Sequence, residues 1–333
     1  MPITRLHTKA RISAFGSFVP ERRLTNNDLA AMVDTNDEWI VTRTGMKERR
    51  IVDPGVYASD LAVKAANDLA DRHGIDLRQV DAVLVATSTP DAFFPNTAAL
   101  VQARLGMHDA LALDISNACA GFVSGLQVGI GLIEAGMHQR VLVIGTEVLS
   151  QTVDYTDRNT CILFGDGAGA MLLEADDRRD SFMASLSATT GDTEAVLYRR
   201  ATADRIGDVE LRGDGKLVQN GRVLYKWALQ QIPIGVGKIL SQLQLHADAV
   251  DWFIPHSANL RMIEAISERS GIPMERTLTS VTYYGNTSAA SIPLAISLAL
   301  AAGKLKPGDT TLLYGFGGGF SQAALLLRWP ELQ

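Results

Sequence analysis

The feature that most constrains the fold of this 333-residue chain is an internal repeat. The segment DAVLVATSTP begins at Asp81, and DWFIPHSANL begins 170 positions later at Asp251. The segments VLVIG at Val141 and TLLYG at Thr311 are separated by the same interval. Self-similarity at a fixed offset indicates duplicated structural units. We therefore expect two similar halves and assign them to residues 1–174 and 175–333.

The apolar patterns within the halves predict an α/β fold. Continuously apolar runs of four or five residues are typical of strands buried on both faces; they lie at 82–86, 141–145, 161–164 and 311–314. Apolar spacing of about 3.6 residues predicts helices, at 59–72, 222–244 and 259–270. A small-residue helix opens near Cys119 in one half and near Asn286 in the other, 167 positions apart. We expect the N-termini of these two helices to face each other across a pseudo-twofold axis.

Composition and charge exclude several classes of function. The net charge of −6 gives no reason to expect nucleic acid or an anionic membrane as a partner. Two cysteines do not make a disulfide framework. The first residues lack the apolar run of a signal peptide, and the most apolar windows, 121–133 and 291–302, are too short to span a bilayer. We expect a cytoplasmic protein, and the scattered histidines predict no metal site.

Cys119, in SNACAGF, is the first candidate for chemistry. A thiol at a helix start lies over free backbone N–H groups and the positive end of the helix dipole, which favour the nucleophilic thiolate. The alternative is that it packs as a small buried hydrophobe. Cys161, in the apolar run CILF, is given that packing interpretation.

Two further residues favour the catalytic interpretation of Cys119. His256 ends an apolar strand, and the carboxyl ends of strands in α/β sheets face ligand crevices. Asn286 lies at a loop-to-helix junction. Taken singly, His256 could be an exposed residue of a helix start and Asn286 a helix cap. Their corresponding positions in a duplicated fold favour a Cys–His–Asn site.

Two glycine-rich segments have different interpretations. GFGGGF, at 315–320, follows a buried strand and either makes a tight turn or offers backbone N–H groups to an oxyanion. GDGAGA, at 165–170, superficially matches a dinucleotide fingerprint, but the MLLE that follows it is typical of a strand. We therefore expect no dinucleotide site there.

Six segments in this order give the chain a close resemblance to β-ketoacyl-acyl-carrier-protein synthase III, of the thiolase-like superfamily. They are DEWIVTRTGMKERRI, NACAGF, LFGDGAGA, PHSANLRMIEAI, YGNTSAASIPLA and GFGGGF. The resemblance covers nearly the whole chain. It implies a thiolase-like five-layered α-β-α-β-α fold of two duplicated halves, and a homodimer.

The resemblance also implies a reaction. Cys119 would accept the acyl group of an acyl-CoA as a thioester, and His256 and Asn286 would bind the carbonyl of malonyl-acyl-carrier protein. Loss of carbon dioxide would give the carbanion that attacks the acyl thioester. The backbone N–H groups of Cys119 and Gly318 would form the oxyanion hole. No cofactor would be permanently bound, because the coenzyme A thioester is a substrate.

Further residues match binding positions of that family. Those implied to contact coenzyme A are Trp39, Arg43, Arg158 and Asn259. Lys226 and Arg261 would receive the acidic carrier protein, and Phe94 would reach the partner's acyl pocket, although Phe93 also fits. Without the resemblance, these would be core or solvated residues. Ser257 and Asn159 depart from common family residues, and the chain most resembles subtypes with branched-chain primers, so branched acyl-CoA use is a hypothesis.

Two other functions stay open from the sequence. The first is a synthase III-like acyltransferase of a secondary-metabolite pathway, which would form acyl-Cys119 without malonyl turnover. The second is a non-catalytic module that binds acyl-CoA or carrier protein, which would have no need of Cys119, His256 and Asn286 together. A thiol protease also fits Cys–His–Asn formally, but the glycine motifs and the duplicated halves argue against it.

Overall fold

The structure, a computed structural model, describes residues 1–177 and 181–333. Its strands are β1 Ile3–Arg5, β2 Ala10–Phe18, β3 Arg23–Thr25, β4 Glu48–Arg50, β5 Ala82–Ala86, β6 Leu111–Ile115, β7 Arg140–Val148, β8 Asp166–Ala175, β9 Phe182–Thr189, β10 Leu197–Arg199, β11 Arg205–Ile206, β12 Val209–Glu210, β13 Leu217–Gln219, β14 Trp252–Pro255, β15 Thr310–Gly317 and β16 Ser321–Arg328.

The α-helices are α1 Asn26–Ala30, α2 Asp37–Thr44, α3 Ala58–His73, α4 Thr97–Arg104, α5 Gly121–Glu134, α6 Arg158–Cys161, α7 Gly221–Ser241, α8 Leu260–Ser270, α9 Val281–Tyr284 and α10 Ser291–Ala301. Short 3-10 turns occur at Leu77–Gln79, Ala118–Ala120, Leu149–Gln151, Ala247–Ala249, Met274–Arg276, Ser288–Ala290 and Gly318–Phe320.

Two five-stranded sheets form the framework. The first has the order β2-β8-β7-β5-β6, and the second has the order β1-β9-β16-β15-β14. In each sheet a pair of parallel strands, β5 with β7 and β14 with β15, is continued by antiparallel neighbours. The two sheets therefore repeat one mixed pattern of strand pairing.

The register of these strands follows the repeat seen in the sequence. Ala82 lies opposite Val141 in the first sheet, and Trp252 lies opposite Thr311 in the second. Both residues of the first pair are 170 positions from their counterparts in the second. Equal offsets on both strands mean that the same residues are paired in both sheets. A shift of one residue in either sheet would have changed this interval and turned every side chain of the strand to the opposite face.

The packing of helices on these sheets makes five layers, and the fold is the thiolase-like α-β-α-β-α arrangement. Helices α5 and α10 lie between the sheets and share one hydrophobic core with the inner faces of both. Helices α3 and α4 cover the outer face of the first sheet, and α7 and α8 cover that of the second. Strands covered on both faces need continuous apolar runs, which explains the sequence pattern.

One short strand of the first sequence half belongs to the second sheet. Strand β1, at the start of the chain, pairs with β9 in the second sheet. The other four strands of the second sheet lie within residues 182–328. The division at residue 174 stays a prediction, and β1 is the element that it would assign to the opposite sheet.

The predicted strand at 161–164 is wrong. Residues Arg158–Cys161 form a single helical turn, whose N-cap Asp157 accepts a hydrogen bond from the backbone N–H of Asn159. Only Phe164 makes a β-bridge, and its partner is Asn286. An apolar run of four residues does not distinguish a buried strand from a buried turn.

None of the helices in the described part of the chain has both the length and the apolar character needed to cross a bilayer.

Candidate active site

Cys119 lies in the 3-10 turn Ala118–Ala120, immediately before helix α5. Ala118 has a φ of 43°, which is a left-handed conformation that costs free energy for a residue with a Cβ atom. The strained turn directs Cys119 toward the second half of the chain. There, a Cβ atom on Gly317 would lie 2.9 Å from Cβ and 3.1 Å from Sγ of Cys119. Glycine at position 317 therefore allows the backbone at the end of β15 to contact the thiol.

The second half contains the same turn. Ser288 has a φ of 45°, begins the 3-10 turn Ser288–Ala290 and precedes helix α10. Ser288 is 170 positions after Ala118. The structural counterpart of Cys119 is thus Ala289, and the 167-residue interval between Cys119 and Asn286 joins positions that are not equivalent.

His256 follows strand β14, and its backbone N–H donates to the carbonyl of Tyr314 at 2.8 Å. Its imidazole is buried, and its Nδ1 lies 2.7 Å from the hydroxyl of Ser291. That hydroxyl oxygen also accepts a hydrogen bond from the backbone N–H of Ser257. If the hydroxyl donates to Nδ1, the ring proton lies on Nε2, the arrangement that leaves an N–H to donate to a ligand. Burial lowers the pKa of His256 to about 3, so the ring is neutral at physiological pH.

Asn286 is fixed through both its backbone and its side chain. Its backbone N–H donates to the carbonyl of Leu163, and its carbonyl accepts from Gly165 N–H, so the segment before β8 clamps it from both sides. Its Oδ1 accepts a hydrogen bond of 2.9 Å from the backbone N–H of Ser288. This contact makes Nδ2 the end of the amide that can donate to a ligand.

Cys119, His256 and Asn286 all line one cavity of about 900 Å³. The same wall includes Gly317, the last residue of the buried strand β15, and Gly318, which follows it. Pockets of this size are sufficient for a small-molecule substrate. The structure thus brings together a thiol, two side-chain donors and a glycine backbone that come from separate parts of the sequence.

The protonation state of Cys119 differs from the simple helix-dipole expectation. Burial is the largest influence and raises the pKa of the thiol to about 12, with the Glu147 carboxylate adding to the rise. A hydrogen bond from the Ser288 side chain acts in the opposite direction. The resting residue is therefore a thiol, and its proton must be removed as it attacks.

The predicted coenzyme A residues lie close to one another, and two of them line the cavity. The guanidinium groups of Arg43 and Arg158 lie 4.7 Å and 4.9 Å from the ring centroid of Trp39. Asn259 caps helix α8, and its Nδ2 donates to the carbonyl of Arg43 at 3.3 Å. Arg43 and Asn259 line the cavity. An indole with two guanidinium groups suits an aromatic base next to phosphate.

The remaining predicted residues have different surroundings. Arg261 donates to the carbonyls of Thr42 and Val41 and to the carboxylate of Glu264, so its guanidinium holds α8 against α2. Lys226 is exposed on α7. Phe93 and Phe94 are both exposed, at 70% and 88%.

The chain matches two family models: 3-Oxoacyl-[acyl-carrier-protein (ACP)] synthase III over residues 113–191, and the C-terminal model of that name over residues 240–329. It is 52% identical over 322 residues to beta-ketoacyl-[acyl-carrier-protein] synthase III 2 of Halalkalibacterium halodurans, covering 97% of each chain. The chain belongs to the synthase III family.

Other relatives agree with this assignment. The Bacillus subtilis beta-ketoacyl-[acyl-carrier-protein] synthase III 2 is 51% identical over 322 residues, which cover 97% of this chain and 99% of the relative. The crystal structure of the Thermus thermophilus synthase III is 45% identical and superposes with a TM-score of 0.91, covering 96% of this chain and 98% of the other. The family and the thiolase-like fold predicted from the sequence are confirmed.

Sequence reasoning missed four residues of this synthase III site: Gly317, Ser291, Ser288 and Glu147. Gly317 lies among neighbouring glycines, and the sequence alone does not distinguish it from Gly318. Ser288 could have been found from its 170-residue offset to Ala118. Glu147 carries its own signal, because an acidic residue within the apolar strand β7 is unusual.

Proposed function

We propose that this chain condenses an acyl-CoA primer with malonyl-acyl-carrier protein through an acyl thioester on Cys119, and so initiates fatty acid synthesis. The observation that carries the proposal is the shared cavity of Cys119, His256 and Asn286. A nucleophile and two neutral donors are what a decarboxylating condensation needs. The matching family model is described as a 3-oxoacyl-[acyl-carrier-protein] synthase III, which supports the same assignment.

Acyl transfer to Cys119 is the first step. The thiol attacks the carbonyl carbon of acyl-CoA, and the coenzyme A thiol leaves. The backbone N–H groups of Cys119 and Gly318 hold the oxyanion of the tetrahedral intermediate, supported by the close approach of the glycine segment to Cys119.

Condensation is the second step. Nε2–H of His256 and Nδ2–H of Asn286 donate to the thioester carbonyl oxygen of the malonyl group. As the carbon–carbon bond to the carboxylate breaks, two electrons remain on the α-carbon and are delocalised onto that oxygen. The two neutral donors stabilise this enolate. No strong base is required, because the loss of carbon dioxide itself generates the carbanion. The carbanion then attacks the acyl thioester and releases Cys119.

Binding residues complete the proposal. Trp39 would stack on the adenine, with Arg43, Arg158 and Asn259 around the phosphates and the pantetheine arm. Lys226 would receive the acidic carrier protein. Arg261 has the same proposed role, although its contacts to α2 also give it a part in holding the Trp39 helix. No permanently bound cofactor is proposed, and the expected location is the cytoplasm.

A homodimer is proposed from the edge of the first sheet. Strand β6 is the last strand in its order, and Leu111 and Leu113 on it are partly exposed at 38% and 42%. An exposed apolar edge strand favours pairing with another chain. Phe94 lies in the loop before α4, the helix that precedes β6 in the sequence. Its side chain would reach the acyl pocket of a second copy.

Intact-protein mass spectrometry after mixing with acetyl-, isobutyryl- and hexanoyl-CoA tests the first step. The wild type should gain the acyl mass, and Cys119→Ala should not. Malonyl-acyl-carrier protein should then discharge the adduct as a 3-ketoacyl product. An adduct that malonyl-acyl-carrier protein cannot discharge would favour the acyltransferase alternative. Saturable binding with neither adduct nor thiol release would favour a binding module.

A further inference from the structure

Arg49 is a buried cation that the proposed chemistry has not used. It lies on β4 and is 0% exposed. Burial lowers the pKa of its guanidinium to about 10, so the group stays charged at physiological pH. No carboxylate in the described part of the chain makes an ion pair with it. A cation that is taken out of water without a paired anion is costly, and an apolar side chain of similar size would pack at lower cost. Packing alone therefore does not account for an arginine at this position.

The guanidinium of Arg49 binds the backbone at the end of α6. Its Nε donates to the carbonyl oxygen of Ile162 at 2.8 Å, and its Nη2 donates to the same oxygen. Its Nη1 donates to Oδ1 of Asn26 at 2.5 Å. Ile162 is the C-cap of α6, where backbone carbonyls have no partner within the helix. Two charge-assisted bonds from one planar group to one oxygen fix its direction as well as its distance.

The segment that Arg49 binds also holds Asn286. Ile162 is followed by Leu163, whose carbonyl accepts a hydrogen bond of 2.8 Å from the backbone N–H of Asn286. The aliphatic stem of Arg49 lies on the other side of this contact. A Cβ atom on Gly285 would lie 2.9 Å from Cγ of Arg49 and 2.8 Å from the carbonyl oxygen of Leu163. Arg49 thus contacts the residue before each partner of the hydrogen bond that holds Asn286.

Asn26 fixes the guanidinium of Arg49 in turn. Asn26 is buried, and its Nδ2 donates to Oδ1 of Asp37 at 2.8 Å and to the carbonyl oxygen of Met46 at 2.9 Å. Because these two acceptors use the amide nitrogen, the amide oxygen is the end that faces Arg49. A buried polar network whose members are all hydrogen-bonded favours a single arrangement. The orientation of the guanidinium is therefore set on both sides, by Asn26 and by Ile162.

We propose that Arg49 is a positioning residue for Asn286 and acts through Asn286 on the malonyl group. This inference rests on the proposed function. The backbone on both sides of the clamp is held by one side chain, so Arg49 sets where Nδ2 of Asn286 lies in the cavity. Asn286 donates in condensation, whereas acyl transfer to Cys119 uses backbone N–H groups. Displacement of a donor by about 1 Å slows a reaction by about 10²-fold. Loss of Arg49 should therefore impair condensation selectively.

The first test compares the two steps in Arg49→Met, which keeps an unbranched stem and loses every donor. Release of labelled carbon dioxide from malonyl-acyl-carrier protein should slow by roughly 10-fold to 100-fold, the usual effect of removing a group that orients a functional side chain. Acyl-adduct formation on Cys119, followed by mass spectrometry, should change little. Arg49→Lys keeps the charge without the planar fork and should recover part of the rate. Arg276→Met is the matched control, because Arg276 also binds backbone carbonyls, those of Asp248 and Val250, and should leave both steps unchanged.

A second test separates a positioning role from a structural one. Arg49→Met is combined with Asn286→Ala, and the residual release of carbon dioxide is measured for the single and double variants. If Arg49 acts through the Asn286 amide, its replacement should cause no further loss once that amide is gone, because residues that act as a unit are not additive. A residue that only stabilises the fold would lower the rate by the same factor in both backgrounds.

The outcomes are distinguishable from failure of the proposed function. A wild type that forms no acyl adduct and releases no carbon dioxide would overturn the function itself. An active wild type, with an Arg49→Met variant that decarboxylates equally fast, would overturn only the positioning role. Equal slowing of both steps, or additive losses in the double variant, would assign Arg49 to stability and would also overturn it. If Arg49→Met does not fold, Arg49→Lys in both backgrounds decides the question, and a wild-type rate of decarboxylation in that variant would count against the proposal.

Discussion

The hydroxyl of Ser291 lies 2.7 Å from Nδ1 of His256, and this contact couples the tautomer of the ring to the Ser291 hydroxyl. Ser291 is the first residue of α10, so the helix between the two sheets orients a side chain that follows β14. A neutral imidazole has one donor and one acceptor nitrogen, and the partner of one nitrogen sets the role of the other.

Ser291→Ala should therefore impair condensation more than acylation. We expect decarboxylation of malonyl-acyl-carrier protein to slow by roughly 10-fold to 100-fold, by analogy with the loss of groups that orient a functional histidine. Release of labelled carbon dioxide measures this step, and mass spectrometry measures acylation. Ser297→Ala on the same helix, whose hydroxyl contacts Ser17 instead, is the matched control. Equal slowing of both steps would contradict this role for Ser291.

Gly317→Ala should abolish acylation without a comparable loss of stability. The new methyl group would lie within about 3 Å of Cys119, so either the thiol or the backbone at the end of β15 must move. We expect acyl-adduct formation to fall by at least about 10²-fold, since small displacements of reacting groups have effects of that size.

Gly131→Ala is the control for this substitution. Gly131 lies within α5, and a Cβ atom there would have no neighbour within 4 Å. This change should stabilise the protein by about 0.5–1 kcal/mol through helix propensity and should leave acylation unchanged. Normal acylation by Gly317→Ala would show that the glycine is not needed for the close approach.

The buried His256 should make the protein less stable in acid. Because burial lowers its folded-state pKa to about 3 from 6.5, the unfolded chain binds a proton between these values that the folded chain does not. Stability should thus fall as the pH decreases from 6.5 to 3, by several kcal/mol, since one pKa unit corresponds to about 1.4 kcal/mol.

Urea unfolding of wild type and His256→Gln at pH 7, 5 and 4 measures this effect. The stability of the variant relative to wild type should rise as the pH falls. The exposed His246, replaced in the same way, provides the comparison, because it carries no burial cost. A constant difference between wild type and His256→Gln across this range would contradict the prediction.

Trp39→Ala should weaken substrate binding with little effect on turnover. Stacking of a base on an aromatic side chain contributes about 1–3 kcal/mol, so KM for acyl-CoA should rise by about 5-fold to 150-fold while kcat changes little. Acyl-pantetheine lacks the adenine and should be used equally well by both proteins. A similar rise in KM for acyl-pantetheine would mean that Trp39 supports the cavity rather than the nucleotide.

Leu113→Lys should disrupt the proposed dimer. A charged side chain on an edge strand opposes pairing with another chain. Sedimentation at micromolar concentration should show a monomer, whereas Met137→Lys, at another exposed apolar residue, should not change the oligomeric state. A monomeric wild type would overturn the dimer proposal.

Primer choice tests the Phe94 assignment separately. If Phe94 closes the acyl pocket of a second copy, Phe94→Ala should alter the ratio of isobutyryl-CoA to acetyl-CoA turnover, because the pocket gains room. Phe93→Ala is the matched variant at the neighbouring exposed position. An unchanged ratio for Phe94→Ala would count against this residue as the pocket wall.

The repeated architecture and the main catalytic candidates can be read from the amino-acid order alone. Strands such as Ala82–Ala86 and Thr310–Gly317 are apolar on both faces because helices cover both sides of each sheet, and that requirement is visible as continuous runs. The 170-residue offset was readable because duplication keeps strand and turn positions in step. Cys119 and His256 were identifiable because each lies at the end of a recognisable element.

Which groups are in contact depends on the packing of segments that are distant in the chain. The apolar run at 161–164 is a turn whose end clamps Asn286, a role that depends on a partner more than 120 residues away. The packing of the two halves places Gly317, rather than Gly318, against Cys119. Local patterns record burial and periodicity, whereas hydrogen bonds and pKa shifts arise from contacts between distant segments.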